Sequence, residues 1–229
     1  VTWDESSLTA LPPAQSLHRA RIDVRGACGP RSRHPRRPGR RGPTVTGGHL
    51  QIIVCGAGPA ADVTTLINTA HEQSWTAVVT ATPHAVSLID VADVERLTGA
   101  PVRTDYRKSP GVRRSLPAAD ALIIAPATYN SINKIALGLA DNYAMTSIAE
   151  LIGGQVPTVI VPFVNTALAA RLPFRRAVTS LRDEGVHILL GSAEGWEPHP
   201  PGSGNDRQSE FPWVTAFKTA AEQAVRYGA

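Results

Sequence analysis

Ala119-Asp-Ala-Leu-Ile-Ile-Ala-Pro-Ala-Thr-Tyr-Asn-Ser-Ile-Asn-Lys-Ile-Ala-Leu-Gly-Leu-Ala-Asp-Asn142 is the stretch whose reading decides the fold. Its first part, Ala121 to Ala125, is apolar throughout and reads as a buried strand that breaks at Pro126. Thr128-Tyr129-Asn130-Ser131 then forms a short polar turn that opens a helix. A wholly apolar strand followed by a helix is the repeating unit of a parallel sheet covered on both faces. Ligands of such sheets bind outside the carboxyl ends of the strands, so this turn marks the side on which to look for a site. Thr, Asn and Ser side chains are short enough to hold a flat heterocycle or an anion there.

The same unit recurs on either side. Leu50 to Cys55 is an apolar run, Gly56-Ala-Gly-Pro59 a turn, and Ala60 to Ser74 has helical spacing with Val63, Leu66, Ile67 and Ala70 on one face. Trp75 to Thr80 reads as a second strand, closed by Thr80-Ala-Thr-Pro83. A helix over Val91 to Leu97 leads to a short strand at Val102-Arg103, and Tyr106 to Pro117 reads as a polar loop. Beyond Asn142 come a helix over Met145 to Ile152 and a strand at Thr158 to Val161 that ends at Pro162. Residues 166–184 are helical and divided or kinked by Pro173, and Val186 to Leu190 is a last strand. Gly191 to Gln208 is a Pro/Gly-rich loop and Phe211 to Tyr227 a terminal helix. The expected fold is a single-domain, three-layer Rossmann-like (flavodoxin-like) α/β parallel sheet.

With 229 residues, 42% of them hydrophobic, the chain can bury one such core. No apolar run approaches a membrane span and no secretory signal stands near the N-terminus, so a cytoplasmic protein with no membrane partner is expected. Cys28 and Cys55 make neither a metal spacing nor a disulfide framework, and no metal is expected. The net charge of +4 conceals a division: residues 1–49 carry +6, with nine Arg against Asp4, Glu5 and Asp23, and the rest carries −2. Cys28 to Pro43 is Arg, Pro and Gly with hardly an apolar side chain, which cannot bury enough surface to order itself. We read residues 1–48 as a disordered leader rather than a polyanion-binding arm, and expect no nucleic-acid partner. Val1 stands where Met is expected and Val45-Thr46 offers an alternative start, which would leave residues 1–44 untranslated.

Gly56-Ala-Gly-Pro-Ala-Ala61 after a strand matches the dinucleotide fingerprint GxGxxA, although two glycines also suit a plain tight turn. A nicotinamide site wants Asp or Glu at the end of the second strand for the ribose, and here Thr80-Ala-Thr82 stands instead. Two hydroxyls without a carboxylate suit a phosphate. Backbone N–H groups at the start of the following helix add to that preference. A mononucleotide held between residues 56–61 and 80–82 fits better than a dinucleotide, which disfavours a nicotinamide dehydrogenase.

Pro126-Ala-Thr-Tyr-Asn-Ser-Ile-Asn-Lys-Ile-Ala with Gly138-Leu-Ala-Asp-Asn142 resembles the signature of the homo-oligomeric FMN-containing cysteine decarboxylases. These flavoproteins include phosphopantothenoylcysteine decarboxylase and the lantibiotic-type peptidyl-cysteine decarboxylases, and the resemblance covers roughly residues 50–190. It implies a flavoprotein domain over residues 49–229. It places Ala57, Gly58 and Pro59 at the first FMN turn, Thr80 and Thr82 at the phosphate, and Thr128, Tyr129, Asn130 and Ser131 with Phe163 at the flavin. Asn165, in Pro162-Phe-Val-Asn165, matches the residue that holds the substrate's backbone or carboxylate. The chemistry implied is oxidation of a cysteinyl thiol to a thioaldehyde, whose C–S double bond lets CO2 leave, with the cofactor carrying the hard step. The substrate is then a cysteine- or carboxylate-bearing small molecule or peptide, and a trimer-based homo-oligomer is implied as well.

Three departures stand out, of which the loss of the His is severe and the absence of a Cys, which peptidyl-type members also lack, is mild. The family's catalytic His lies seven residues before Ala119, where this chain has Val112 beside Arg113 and Arg114. Valine cannot act as a base. The motif Pro-x-Met-Asn-x-x-Met-Trp is reduced to Pro162-Phe-Val-Asn-Thr-Ala-Leu-Ala169, and residues 191–208 contain no Cys. His84, after the Thr turn, is the nearest replacement for the missing His, although such a residue more often faces solvent. His71 is expected on the surface, and His187 is expected to be packed in a strand. Asp141 and Asn142 are expected to end a helix, while Trp196 and Trp213 pack under the Pro/Gly-rich loop. A catalytically silent flavin-binding regulatory or partner subunit is the alternative function that Val112 suggests.

Overall fold

Apolar runs too short for helices and too apolar for a half-exposed sheet must be buried on both faces, and the three central strands of the sheet are buried throughout. The structure, a computed structural model, describes residues 47–105 and 118–228. Strands β1 (His49–Val54), β2 (Thr76–Ala81), β3 (Ala121–Ala127), β4 (Thr158–Pro162) and β5 (His187–Ile188) form one parallel sheet in the order β2-β1-β3-β4-β5. Side chains alternate across a strand, so β1 and β3 feed two separate cores. Ile52, Val54, Ile123 and Ala125 face one of them, shared with α1 (Val63–Glu72), α2 (Val91–Thr98) and the terminal helix. Ile53, Cys55, Leu122 and Ile124 face the other, built with α3 (Tyr129–Ala136), α4 (Tyr143–Gly153) and α6 (Leu172–Asp183). The expected three-layer α/β fold is what forms. The short α5 (Thr166–Ala169) and α7 (Gly204–Gln208) and the terminal α8 (Trp213–Gly228) complete the described helices.

Several boundaries differ from those expected, each for a local reason. The β3 strand does not break at Pro126 but runs to Ala127, with a cis Ala125–Pro126 peptide. The β3–β4 register shifts between Ile124 and Ala127, and proline is tolerated at such a bulge because no ladder N–H is required there. Its carbonyl still accepts from the Cys55 N–H at 3.1 Å. Tyr129, Asn130 and Ser131 are the first turn of α3 rather than a turn before it, since the Thr128 hydroxyl accepts from the Ser131 N–H and so becomes the N-cap. Asn142 does not end a helix. Its side-chain oxygen accepts from the Met145 N–H and starts α4.

At the margins the strands are shorter. Val102-Arg103 contributes a single bridge, Arg103 with Thr80, on the outer side of β2. On the opposite edge β5 keeps two residues, because it pairs only with β4 and Gly191, at φ 111°, turns the chain away. Pro173 divides the 166–184 region as expected, standing in the first turn of α6 where its missing N–H costs nothing. The loop read over 191–208 carries a single helical turn at Ser192–Glu194 and then α7. The tail, with Cys28, and residues 106–117, with Arg107, Lys108, Val112, Arg113 and Arg114, lie outside the described residues.

Candidate functional site

The strand order reverses direction between β1 and β3, and a crevice opens at such a switch point. Three backbone hydrogen bonds tie the turns beyond the strands into one row along the carboxyl edge. Thr82 donates to Val54 at 2.9 Å, Cys55 to Pro126 at 3.1 Å, and Phe163 to Ala127 at 2.8 Å. The turns after β2, β1, β3 and β4 therefore adjoin in that order. Apart from Thr80, which lies within β2, the residues named from the sequence for cofactor or substrate lie on this row.

Gly56, Ala57 and Gly58 leave β1, and a helical turn over Gly58–Asp62, with Pro59 in its first turn, leads into α1. The glycines are dictated by neighbours. A Cβ on Gly56 would lie 2.7 Å from the Cβ of His84, and one on Gly58 would lie 2.6 Å from the Gln208 side chain. The β1 turn is thus pressed between the β2 turn and α7. Backbone partners among the described residues are found for the N–H groups of Ala57 and Ala60 and not for those of Gly56 and Gly58. Two amides without a backbone partner among the described residues, at the start of the helical turn that leads into α1, suit an anion such as a phosphate.

On the β2 side, Thr80 is the penultimate residue of the strand, 1% exposed, and its hydroxyl accepts from Gln51 Nε2 at 3.1 Å. Thr82 is also buried, while His84 is exposed with its backbone against Gly56. Around β3, Thr128 and Ser131 are joined hydroxyl to hydroxyl at 2.9 Å, Tyr129 stacks on Phe174 at 5.7 Å, and Asn130 is exposed. Cys55 lies beneath this turn, touching the Ser131 hydroxyl and the Thr128 backbone. Burial pushes its thiol up from the usual range, and those two contacts oppose the shift. Lys134 and Asp141 form an ion pair at 2.5 Å that holds the Asp141 carboxyl below the usual carboxylate range.

Beyond β4, the Asn165 side-chain oxygen accepts from the Leu168 N–H at 2.9 Å and caps α5. Phe163 is half-buried in an aromatic group with Trp196, Phe211 and His199, the last at 5.0 Å between ring centres. Trp196 is buried as expected, and its indole N–H donates to the Pro162 carbonyl at 2.7 Å. Trp213 is buried too. Elsewhere His71 is exposed, and His187 is half-buried against Glu194 at 3.2 Å.

His199 was not identified from the sequence. It sits opposite Asn165 in a one-residue parallel bridge: its N–H donates to Val164 and its carbonyl accepts from Thr166. The signal was present in Pro198-His199-Pro200, because a residue before proline is held extended and is ready to pair as a strand. Among the described residues no group of three or more His, Cys, Asp or Glu could hold a metal ion. No described helix is long and apolar enough to cross a membrane.

A parallel sheet in this order, with four turns gathered at its switch point, defines an open, doubly wound α/β protein. The comparison with known proteins is more specific, and over residues 43–203 the chain belongs to the Flavoprotein family. Among solved structures, the FMN-dependent cysteine decarboxylase SpaF is 28% identical, with a TM-score of 0.62, the match covering 80% of this chain and 99% of that one. A dihydromethanopterin reductase (acceptor) of Methanosarcina mazei is 35% identical over 68 residues, 29% of this chain and 28% of that protein. A cysteine/cysteine sulfinic acid decarboxylase from an unidentified prokaryote is 35% identical over 77 residues, 33% of this chain and 21% of that protein. The chain therefore spans only about a quarter of the length of these two curated relatives.

Proposed function

We propose that the chain binds FMN at the carboxyl edge of β1 and β3 and performs decarboxylase-like redox chemistry on a cysteine- or carboxylate-bearing small molecule or peptide. The observation that carries this reading is the row of adjoining turns at the switch point, with glycine amides and a helix start on one side of it. SpaF, an FMN-dependent cysteine decarboxylase matched over nearly its whole length, supports it. When bound, FMN supplies a two-electron oxidation. In this reading the turn of Ala57, Gly58 and Pro59, with Thr80 and Thr82, holds the phosphate end, and Thr128, Tyr129, Asn130, Ser131 and Phe163 surround the ring system. Asn165 orients the substrate, its amide N–H groups being available once its oxygen is committed to the α5 cap. His84 and Asn165 are the polar groups assigned to the reaction.

Freshly purified protein should be yellow, with the oxidised-flavin absorption bands and FMN released on denaturation. Colourless protein that does not take up added FMN would exclude the reading. CO2 release from phosphopantothenoylcysteine or from peptides ending in cysteine separates an enzyme from a silent flavin-binding subunit, the reading that Val112 favours. Where activity is found, Asn165→Ala is expected to reduce it more than His84→Ala. We further propose a cytoplasmic homo-oligomer, trimer-based by the family resemblance. Leu137 and Leu139 beyond α3 are 73% and 50% exposed, an apolar surface of the kind that oligomers cover. Light scattering that finds only monomer would count against it. Residues 1–48 as a leader and 49–229 as the flavoprotein domain complete the proposal.

A further inference from the structure

His199 stands out as a chemically capable side chain with no part in the fold's own hydrogen bonding beyond one contact. Its Nδ1 lies 2.9 Å from the Pro200 carbonyl, which can only accept, so Nδ1 carries the hydrogen. In the neutral ring Nε2 then bears the lone pair, and no described residue bonds to it. The ring is half-buried, tilted against Phe163, and its backbone is locked to the Asn165 turn by two hydrogen bonds. Gly204 admits α7 close to it: a Cβ there would stand 3.4 Å from the ring's Cε1 and 3.8 Å from Phe163. An imidazole is thus fixed in position, tautomer and neighbours at the carboxyl edge. Val112, read from the sequence, offers no base, and His84 is exposed on the far side of the row.

We infer that His199 is the proton acceptor of the site and that its Nε2 takes the proton of a ligand thiol seated between Phe163 and Asn165. The S–H bond breaks, sulfur keeps the electron pair, and the imidazole becomes imidazolium. A free thiol is mostly protonated at neutral pH, so a fixed acceptor is what makes a thiolate available there. Charged groups on the elements around the ring are few. The turn Phe163 to Thr166 and α5 carry none, Glu197 precedes His199 in the chain, and α7 contributes Asp206 and Arg207. Arg207 is already engaged over the Trp196 ring and with Glu210.

This inference rests on the proposed flavin site, and its test separates the two. A thiolate beside oxidised flavin gives a long-wavelength absorption band. The probe is a short peptide ending in cysteine, mixed rapidly and without oxygen with FMN-loaded protein across a pH series. With His199 as acceptor, the band should reach half-height at least about one pH unit below the ordinary thiol value of about 8.5. In His199→Gln, and in His199→Phe, which keeps the aromatic packing, the midpoint should return to about 8.5 with FMN affinity retained. A wild-type midpoint already at the free-thiol value, no band at any pH, or the same lowered midpoint in either variant would overturn the role of His199 while leaving the flavin site standing. Failure of the wild type to bind FMN would overturn both.

Discussion

Cys55 shows how burial alone sets a residue's chemistry. It is the first residue after β1, wholly enclosed, and its raised thiol pKa keeps it protonated and poorly nucleophilic. In a Cys28→Ser protein, Cys55 should react with a thiol reagent at least about 100-fold more slowly when native than when unfolded. Fast native labelling would show that the β1 turn is open. His49 is the corresponding case at the opposite edge of the sheet. It is 7% exposed, its Nδ1 meets the Thr76 hydroxyl at 2.9 Å, and its Nε2 is buried without a partner among the described residues. Burial lowers its pKa, with Asp120 opposing. The unfolded chain therefore binds that proton more readily, and stability should fall as pH drops below the ordinary value of about 6.5. Denaturant unfolding at acid and neutral pH should show a smaller loss in His49→Gln than in the wild type.

At the scale of elements, the turns of the site are held by caps and close approaches. Thr128 and Asn165 each satisfy an N–H at the start of a helix, so their replacement by alanine should cost about 1 kcal/mol apiece in equilibrium unfolding. The Asn165 cap also bears on function, because the oxygen that accepts from Leu168 is not available to a ligand. Gly56→Ala is a sharper test of the row of turns. Its methyl would meet His84 at 2.7 Å, an atom fixed by the backbone, so the β1 and β2 turns must separate. A loss of about 1–3 kcal/mol and weaker FMN binding are expected. Unchanged affinity would place the cofactor away from this turn.

For the molecule as a whole, the two faces of β3 are equivalent in burial. Ile123 and Ile124 point to opposite cores and both are fully enclosed. Each change to alanine should cost about 2–5 kcal/mol, measured by denaturant unfolding. A cost below about 1 kcal/mol at either would mean that one helical layer is loose. This double burial is also why the architecture is legible in the sequence. Apolar runs at β1, β3 and β4 could satisfy themselves only in a sheet covered twice, and Pro162 and Gly56 punctuated them where the turns fall.

The site was legible only in part. Gly56 and Thr128 could be named because turn chemistry is local, whereas Asn165 was named through the family resemblance and its capping role came from the structure. Whether a side chain at such a turn faces a ligand or serves the fold depends on what packs against it from elsewhere in the chain. Thr80 accepts from Gln51 within the sheet and Tyr129 stacks on Phe174 of α6, so each serves the fold as well as the proposed site. Neither pairing has a local signature. By itself the sequence determined a doubly covered parallel sheet and the edge on which its polar turns lie, since period and composition act over a few residues. Only the tertiary structure decided that His199 returns to pair with Asn165 and that Gln208 settles on Gly58. Those contacts depend on how a long loop closes, and a closing loop finds its partners through the packed surface it meets.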